Sequence, residues 1–268
     1  MSTHWRLLLD GAGSGPWNMG VDEVLLESAV ARGTGALRLY RWDGPWLSLG
    51  YGQSLAPLRR AACAEAGVGV VRRVTGGRAV LHGGDLTYAI AAPDRMLPDG
   101  LVATYQLIAQ ALADALRALG VEATRAPRPP TPSRGAPDFD CFAAPAGDEL
   151  CARGHKLVGS AQRRTRGAVL QHGSIRVHPD PAAAREAAGI GGLAATSLAE
   201  LDVPCSYGDL CDACVTAFER SLSAVFAPEP LSDRERQAAA ARCDGLEDGF
   251  GASASFPRGA SRAHLDGR

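Results

Sequence analysis

Lysine is almost missing from this chain: its 28 basic residues are 27 arginines and one lysine, Lys156. Arginine serves wherever a permanent cation is enough. A lysine amine is smaller and can lose its proton when desolvated, so position 156 reads as one that requires an amine. Long apolar runs are also lacking. No stretch approaches the 18 uninterrupted apolar residues that a membrane-spanning helix needs, and the first ten residues carry His4 and Arg6 with no apolar run of leader type. The expectation is a cytosolic protein without a membrane partner. Charge of one sign is not in excess either: 28 basic against 29 acidic residues give a formal charge of −1, which speaks against a nucleic-acid partner. Cysteine is present seven times, an odd number that argues against a disulfide framework. Cys211-x-x-Cys214 lacks the second ligand pair of a structural zinc site. It falls on a helical stripe with Leu210, Val215, Phe218 and Leu222, so core packing is expected there. What the chain does have is 268 residues, 46% of them hydrophobic, enough for one substantial core.

Periodicity outlines the elements. Trp5 to Gly11 reads as a strand, Asn18 to Arg32 as a helix stopped by Gly33, and Ala36 to Trp42 and Trp46 to Gly52 as strands around a Gly44-Pro45 turn. Arg59 to Ala66 reads as a short helix. Val68 to Val74 and Arg78 to Ala92 read as strands, the latter broken at Gly83-Gly84. Thr104 to Leu119 is the clearest helix. Pro127 to Pro137 holds five prolines in eleven residues and is a loop. Glu149 to Arg164 and Ala168 to Val177 form a hairpin across Thr165-Arg166-Gly167. Ser206 to Phe226 reads as a helix opened by Ser206-x-x-Asp209, and Ser232-x-x-Glu235 caps a further short one. Residues 244–268 are poor in core residues and read as a disordered tail after a single domain over 1–243. Strands and helices without βαβ alternation predict an α+β fold with a mixed sheet.

Two segments carry candidate chemistry. In the first, Arg72 and Arg73 precede Gly76-Gly77-Arg78 and His82. A glycine pair between strands lets backbone approach a ligand, and the arginines are candidates for holding a carboxylate or phosphate. In the second, His155-Lys156-Leu157-Val158-Gly159-Ser160-Ala161-Gln162 is followed by Gln171-His172-Gly173-Ser174-Ile175. Strand alternation puts Lys156, Val158, Ser160 and Gln162 on one face, and Gly159 permits close approach from the other. His172 is either a ligand contact or a satisfied structural histidine.

Taken together, these segments resemble the lipoate-protein ligase and octanoyl/lipoyl transferase family. That family carries an Arg-Arg-x-x-Gly-Gly-x-Ala-Val-x-His block, a Lys-x-x-Gly-Ser-Ala-Gln block and a Gln-His-Gly-Ser/Thr block, all present here in order. Asn18-Met19-x-x-Asp22-Glu23, Tyr40-x-Trp42 and Ser48-Leu49-Gly50-Tyr51-Gly52-Gln53 also match, from about Trp5 to about Phe226. The resemblance implies a biotin/lipoate ligase-like catalytic domain with a mixed sheet, flanking helices and an acyl tunnel. By the same resemblance, Arg72, Arg73, Gly76, Gly77, Arg78, His82, Gly159, Ser160 and His172 bind substrate, and Lys156 contacts the acyl carbonyl.

Within the family, Asp140-Cys141-Phe142 lies in the loop where one transferase branch keeps its nucleophile. Gly76-Gly77-Arg78 replaces the third glycine of typical ligases, and no ligase-type C-terminal domain is evident after Phe226. The resemblance therefore implies an octanoyltransferase with Cys141 and Lys156 as catalytic residues. The donor would be octanoyl-acyl carrier protein. The acceptor would be a lysine of a lipoyl carrier, such as the glycine cleavage H protein or an E2 lipoyl domain. Neither ATP, metal nor another cofactor is expected. An ATP-dependent ligase, an amidotransferase between two carriers, and a non-catalytic acyl- or carrier-binding homologue are the alternatives.

Overall fold

The computed structural model describes residues 3–126, 149–191 and 195–246. The proline-rich loop, Cys141 and the segment from residue 247 onward lie outside these residues.

Among the described residues, eleven strands build two sheets and six helices flank them. The larger contains β1 (Thr3–Gly13), β2 (Ala36–Trp42), β6 (Asp85–Pro93), β7 (Thr124–Arg125), β8 (Leu150–Ala152), β9 (His155–Thr165), β10 (Ala168–Arg176) and β11 (Ala224–Pro228). Its order is β11-β1-β2-β6-β10-β9-β8-β7. The first three strands run parallel, and pairing from β2 onward is antiparallel, so the sheet is mixed. The smaller sheet has the order β4-β3-β5, from β3 (Trp46–Leu49), β4 (Gly69–Arg72) and β5 (Val80–His82). The helices are α1 (Gly15–Arg32), α2 (Pro57–Glu65), α3 (Leu101–Ala118), α4 (Ala182–Ala188), α5 (Tyr207–Leu222) and α6 (Asp233–Leu246). This is the expected α+β architecture.

Side-chain alternation sorts the core into layers. One face of the large sheet, with Leu37, Leu39, Tyr88 and Ile90, packs against α3 and α5 through Ile108, Leu112, Leu210 and Phe218. The opposite face, with Tyr40, Ala89 and Leu170, packs against α1 through Met19, Val21 and Leu25. The small sheet makes a third core of Leu47, Leu49, Val68 and Leu81 with Ala184 and Ala188 of α4. Cys214 is fully buried in the α3–α5 layer with Cys211 partly buried beside it, so this pair packs as hydrophobes. Burial pushes the Cys214 thiol far up and that of Cys211 to about 11, which keeps both protonated.

Local chemistry fixes the helix ends. Ser14 accepts from the Trp17 amide at the start of α1, and Gly33 ends it at φ 67°. Ser206 and Asp209 form a reciprocal capping box on α5. Ser232 and Glu235 do the same on α6, where Glu235 Oε1 also accepts from Arg6 at 2.7 Å. Three expectations shift. The helix expected to reach Phe226 stops at Leu222. Ser223 turns to φ 49°, and β11 then pairs with β1 so that Phe226 meets Trp5 edge-on at 6.0 Å. The strand expected from Glu149 is two strands, split at Arg153 and Gly154 with φ of 48° and 82°. Helix α4, an alanine-rich run behind Pro181, was not anticipated.

Candidate active site

A cleft opens between the two sheets. Its walls come from β2, β6, β9 and β10 on one side and from β3, β5 and the Arg73–Gly77 loop on the other. It stays open because small residues stand where larger ones would fill it: Gly77, Gly159, Ala161 and Gly173 all line it. Gly77 holds φ 94°. Gly50 packs against that loop so closely that a Cβ would sit 2.0 Å from the Gly77 carbonyl oxygen. The turn and its neighbour are thus both restricted to glycine.

The two arginines of the first motif brace this loop. Arg73 Nη1 donates to the Ser48 carbonyl at 2.7 Å and to Ser48 Oγ at 2.9 Å. Its Nη2 donates to the carbonyls of Gly76 at 3.1 Å and Arg78 at 2.9 Å. Arg72 Nη1 reaches the carbonyls of Gly50, Tyr51 and Gln53. These donors meet backbone oxygens and the Ser48 hydroxyl. Arg73 lines the cleft, and the Arg78 side chain is half-buried.

His82 and His172 each bridge a carboxylate and a hydroxyl. His82 Nδ1 lies 2.8 Å from Asp85 Oδ2, and its Nε2 lies 2.8 Å from Ser48 Oγ. The ring stacks on Trp42 at 3.9 Å. His172 Nδ1 lies 2.8 Å from Asp22 Oδ2, and its Nε2 lies 2.7 Å from Thr75 Oγ1. Burial raises the Asp85 carboxyl, but His82, the Ser174 hydroxyl and the Gly83 amide outweigh it and hold it below the usual carboxylate range. Asp22 is likewise pushed up by burial and drawn lower overall by His172, Arg38 and Tyr40. With both carboxylates ionised, each Nδ1 donates to its carboxylate, and each Nε2 shares a hydrogen bond with its hydroxyl. Arg73 donates to Ser48 Oγ and, through Nε at 3.4 Å, to Thr75 Oγ1, so the two relays meet at one guanidinium. The cleft wall is therefore polar in composition but internally satisfied. Asp85, Ser48 and Thr75 belong to this network, and spacing alone gave no signal for them.

The second motif places its residues through a strand irregularity. Cys151 pairs with Lys156, but Leu150 pairs with Val158, so β9 carries one extra residue, Leu157. Cross-strand partners share a face and successive residues alternate. The bulge therefore moves Lys156 off the face of Val158 and Ser160. This corrects the expectation that all three share one face. Val158 pairs with Ile175 and Gly159 with Ser174. Lys156 thus shares the cleft-side face with Gly159 and Ser174, next to the cleft along β9. Ser160 bonds its hydroxyl to Tyr88 at 2.7 Å while still lining the cleft. Lys156 is fully buried, and its Nζ lies 2.6 Å from Glu149 Oε1, itself buried. Glu149 was not singled out from sequence. Only the Arg153-Gly154 turn brings it back across from Lys156. The neighbouring Cys151 thiol is raised by burial and by Glu149, with Lys156 opposing. Cys141 lies outside the described residues. Among those residues, no three His, Cys, Asp or Glu side chains are grouped to hold a metal ion, and no helix is long and apolar enough to cross a membrane.

Comparison with known proteins agrees with this geometry. An octanoyltransferase LipM of Symbiobacterium thermophilum is 36% identical over 260 residues, covering 89% of this chain and 94% of the relative. One from Kyrpidia tusciae is 43% identical over 190 residues, covering 67% and 68%. Among solved structures, a lipoate-protein ligase A bound with ATP superposes with TM-score 0.73 at 23% identity, covering 90% of this chain and 95% of the other. A bipartite lipoate protein ligase from Thermoplasma acidophilum, solved in a study with its E2 lipoyl domain, gives 0.69 at 21%, covering 91% and 93%. These two share the fold. The family model for the lipoyl protein ligase A/B catalytic domain matches residues 14–219, and the chain belongs to that family.

Proposed function

We propose that this protein is a cytosolic octanoyltransferase that moves an octanoyl group from acyl carrier protein to a lysine of a lipoyl carrier, through a thioester on Cys141. The observation that carries the reading is the bulge at Leu157, which turns the only lysine of the chain onto the cleft face. Its support is the run of LipM octanoyltransferases among the relatives.

In this reading the Cys141 thiolate attacks the donor's thioester carbonyl. A carbon–sulfur bond forms to Cys141, the bond to the carrier thiol breaks, and the leaving thiolate takes a proton from the Lys156 ammonium. The acceptor's amine then attacks the acyl-enzyme, forming the amide and releasing the Cys141 sulfur. Lys156, neutral after the first step, takes up the proton that the acceptor amine loses and returns to the ammonium. The cleft takes the acyl chain, at roughly 0.8 kcal/mol per buried methylene. The other nearby thiol is a poor nucleophile. Cys151 is only 8% exposed and its thiol is pushed up, which lowers its thiolate fraction. No nucleotide enters either step. The acceptor is the lysine of an E2 lipoyl domain or of the glycine cleavage H protein.

Intact-mass measurement after mixing with octanoyl carrier protein tests this. One octanoyl mass should appear, labile to hydroxylamine, in nucleotide-free buffer. It should vanish in Cys141→Ala and persist in Cys151→Ala. The reverse pattern moves the nucleophile to Cys151, and strict dependence on ATP and Mg²⁺ replaces the transferase by a ligase.

A further inference from the structure

We propose that Glu149 is the positioning residue for Lys156: its carboxylate holds the side-chain nitrogen in place on the cleft-side face. This rests on the reading that Lys156 takes part in acyl transfer.

The pair is fully withdrawn from water, with Lys156 0% and Glu149 5% exposed and 2.6 Å between Nζ and Oε1. A buried ion pair is weak evidence for stability, because apolar residues of similar volume often serve as well or better. Its presence across β9 from the apolar layer of Leu150 and Val158 therefore calls for a use other than holding the fold. Lone burial disfavours the charged form of a lysine, and a carboxylate in contact restores it. An ammonium also has three rotatable donors on a flexible stem, so something must choose where they point.

Both ends of the pair are anchored through their main chains. The Glu149 carbonyl accepts from the Ala126 amide at 2.7 Å, and the next residue, Leu150, pairs with Arg125. The Lys156 carbonyl accepts from the Thr196 amide at 2.9 Å, and Ala195 bridges to Lys156 from outside the sheet. The Arg153-Gly154 turn folds Glu149 back over Lys156 within one hairpin. The device is local in sequence and tied on both sides in space. Cys151, the cross-strand partner of Lys156, stands beside the pair without competing for it as an anion, since its thiol is raised.

The single lysine makes the test direct. Growth on [ε-¹⁵N]lysine labels one side-chain nitrogen in the whole chain. The full-length protein should show one ammonium resonance, protected from exchange at neutral pH. Glu149→Gln should lose that protected signal and lower kcat for octanoyl transfer by about 100-fold, the scale of a misplaced catalytic group, with KM within about twofold. Glu149→Asp, which keeps the charge on a shorter arm, should retain the resonance and recover part of kcat. If Glu149→Gln does not fold, the Asp variant decides: wild-type kcat there overturns the proposal. An unchanged resonance and kcat in a folded Glu149→Gln also overturns it. Lys156→Gln is assayed alongside. If that variant transfers normally, the functional reading of Lys156 fails. If it is dead while Glu149→Gln is unaffected, only the positioning role fails.

Discussion

Lys156→Arg separates the need for an amine from the need for a charge. The Lys156 side chain is fully buried with Nζ 2.6 Å from Glu149 Oε1. A guanidinium keeps the charge and can still pair with that carboxylate, but it is bulkier, planar and does not deprotonate. Forcing it into a closed site costs about 1–3 kcal/mol of overpacking. For a chain of this size each kcal/mol lowers the melting temperature by about 2–4 °C, so the variant should melt roughly 2–12 °C lower and remain folded at 25 °C. Transfer should nonetheless fall at least ~100-fold, the lower range for a positioned acid–base group. Lys156→Met gives the complementary comparison. It fits the volume but leaves the Glu149 carboxylate buried without its cation, at about 3–5 kcal/mol. The Met variant should therefore melt below the Arg variant, while both are inactive. The assay is steady-state octanoyl transfer from octanoyl carrier protein to an apo lipoyl domain, with thermal melts of each variant. Arg234→Lys, at an exposed position of α6, serves as the neutral control. Near-wild-type turnover in Lys156→Arg would refute the argument and leave the single lysine as a compositional accident.

Gly50→Ala should destabilise the loop over the cleft, because its Cβ would sit 2.0 Å from the Gly77 carbonyl oxygen; a melting temperature equal to wild type would show that this backbone can move apart. Acid should unfold the protein through its depressed carboxylates. Asp22 and Asp85 have folded pKa values below their unfolded ones, and Glu235 is drawn to about 2 by Arg6 and the Ser232 amide against the effect of burial. Their stabilisation is full above about pH 4–5 and is lost as pH falls through the folded values, which a pH series of denaturant melts will follow; stability flat down to pH 2 would contradict it. A chain ending at Leu246, the last residue of α6, should keep octanoyl transfer, since the catalytic domain is proposed to need nothing beyond that helix. Loss of transfer in a folded truncation would move the domain boundary.

Where periodicity and end signals coincide, the fold was legible. The Gly33 stop of α1, the Ser206–Asp209 start of α5 and the strand over Ala36–Trp42 stand as read. Helix α4 escaped because alanine carries almost no amphipathic contrast, although Ala184, Ala187 and Ala188 bury against the small sheet. Strand β11 escaped because its short Ala224-Val225-Phe226 alternation follows a helical stripe directly, and only pairing with β1 distinguishes the two. In the cleft, the glycines and histidines were visible as motif residues. The relays that join them were not: Ser48 lies 34 residues from His82 and Thr75 lies 97 from His172. The facing of Lys156 was misread for a different reason. Alternation assumes unbroken pairing, and one extra residue on β9 reverses it.

The scarcity of lysine has a consequence for the protein's own chemistry. Activated acyl esters and thioesters modify exposed amines, and a protein that handles such groups is exposed to its own reagent. Here the one side-chain amine is sealed inside an ion pair, and every other basic side chain except histidine is a guanidinium, which acyl thioesters do not touch at neutral pH. The surface thus offers no lysine amine for the bond this fold is built to make. An acceptor lysine presented by a partner has no side-chain amine on the enzyme's exterior to compete with it.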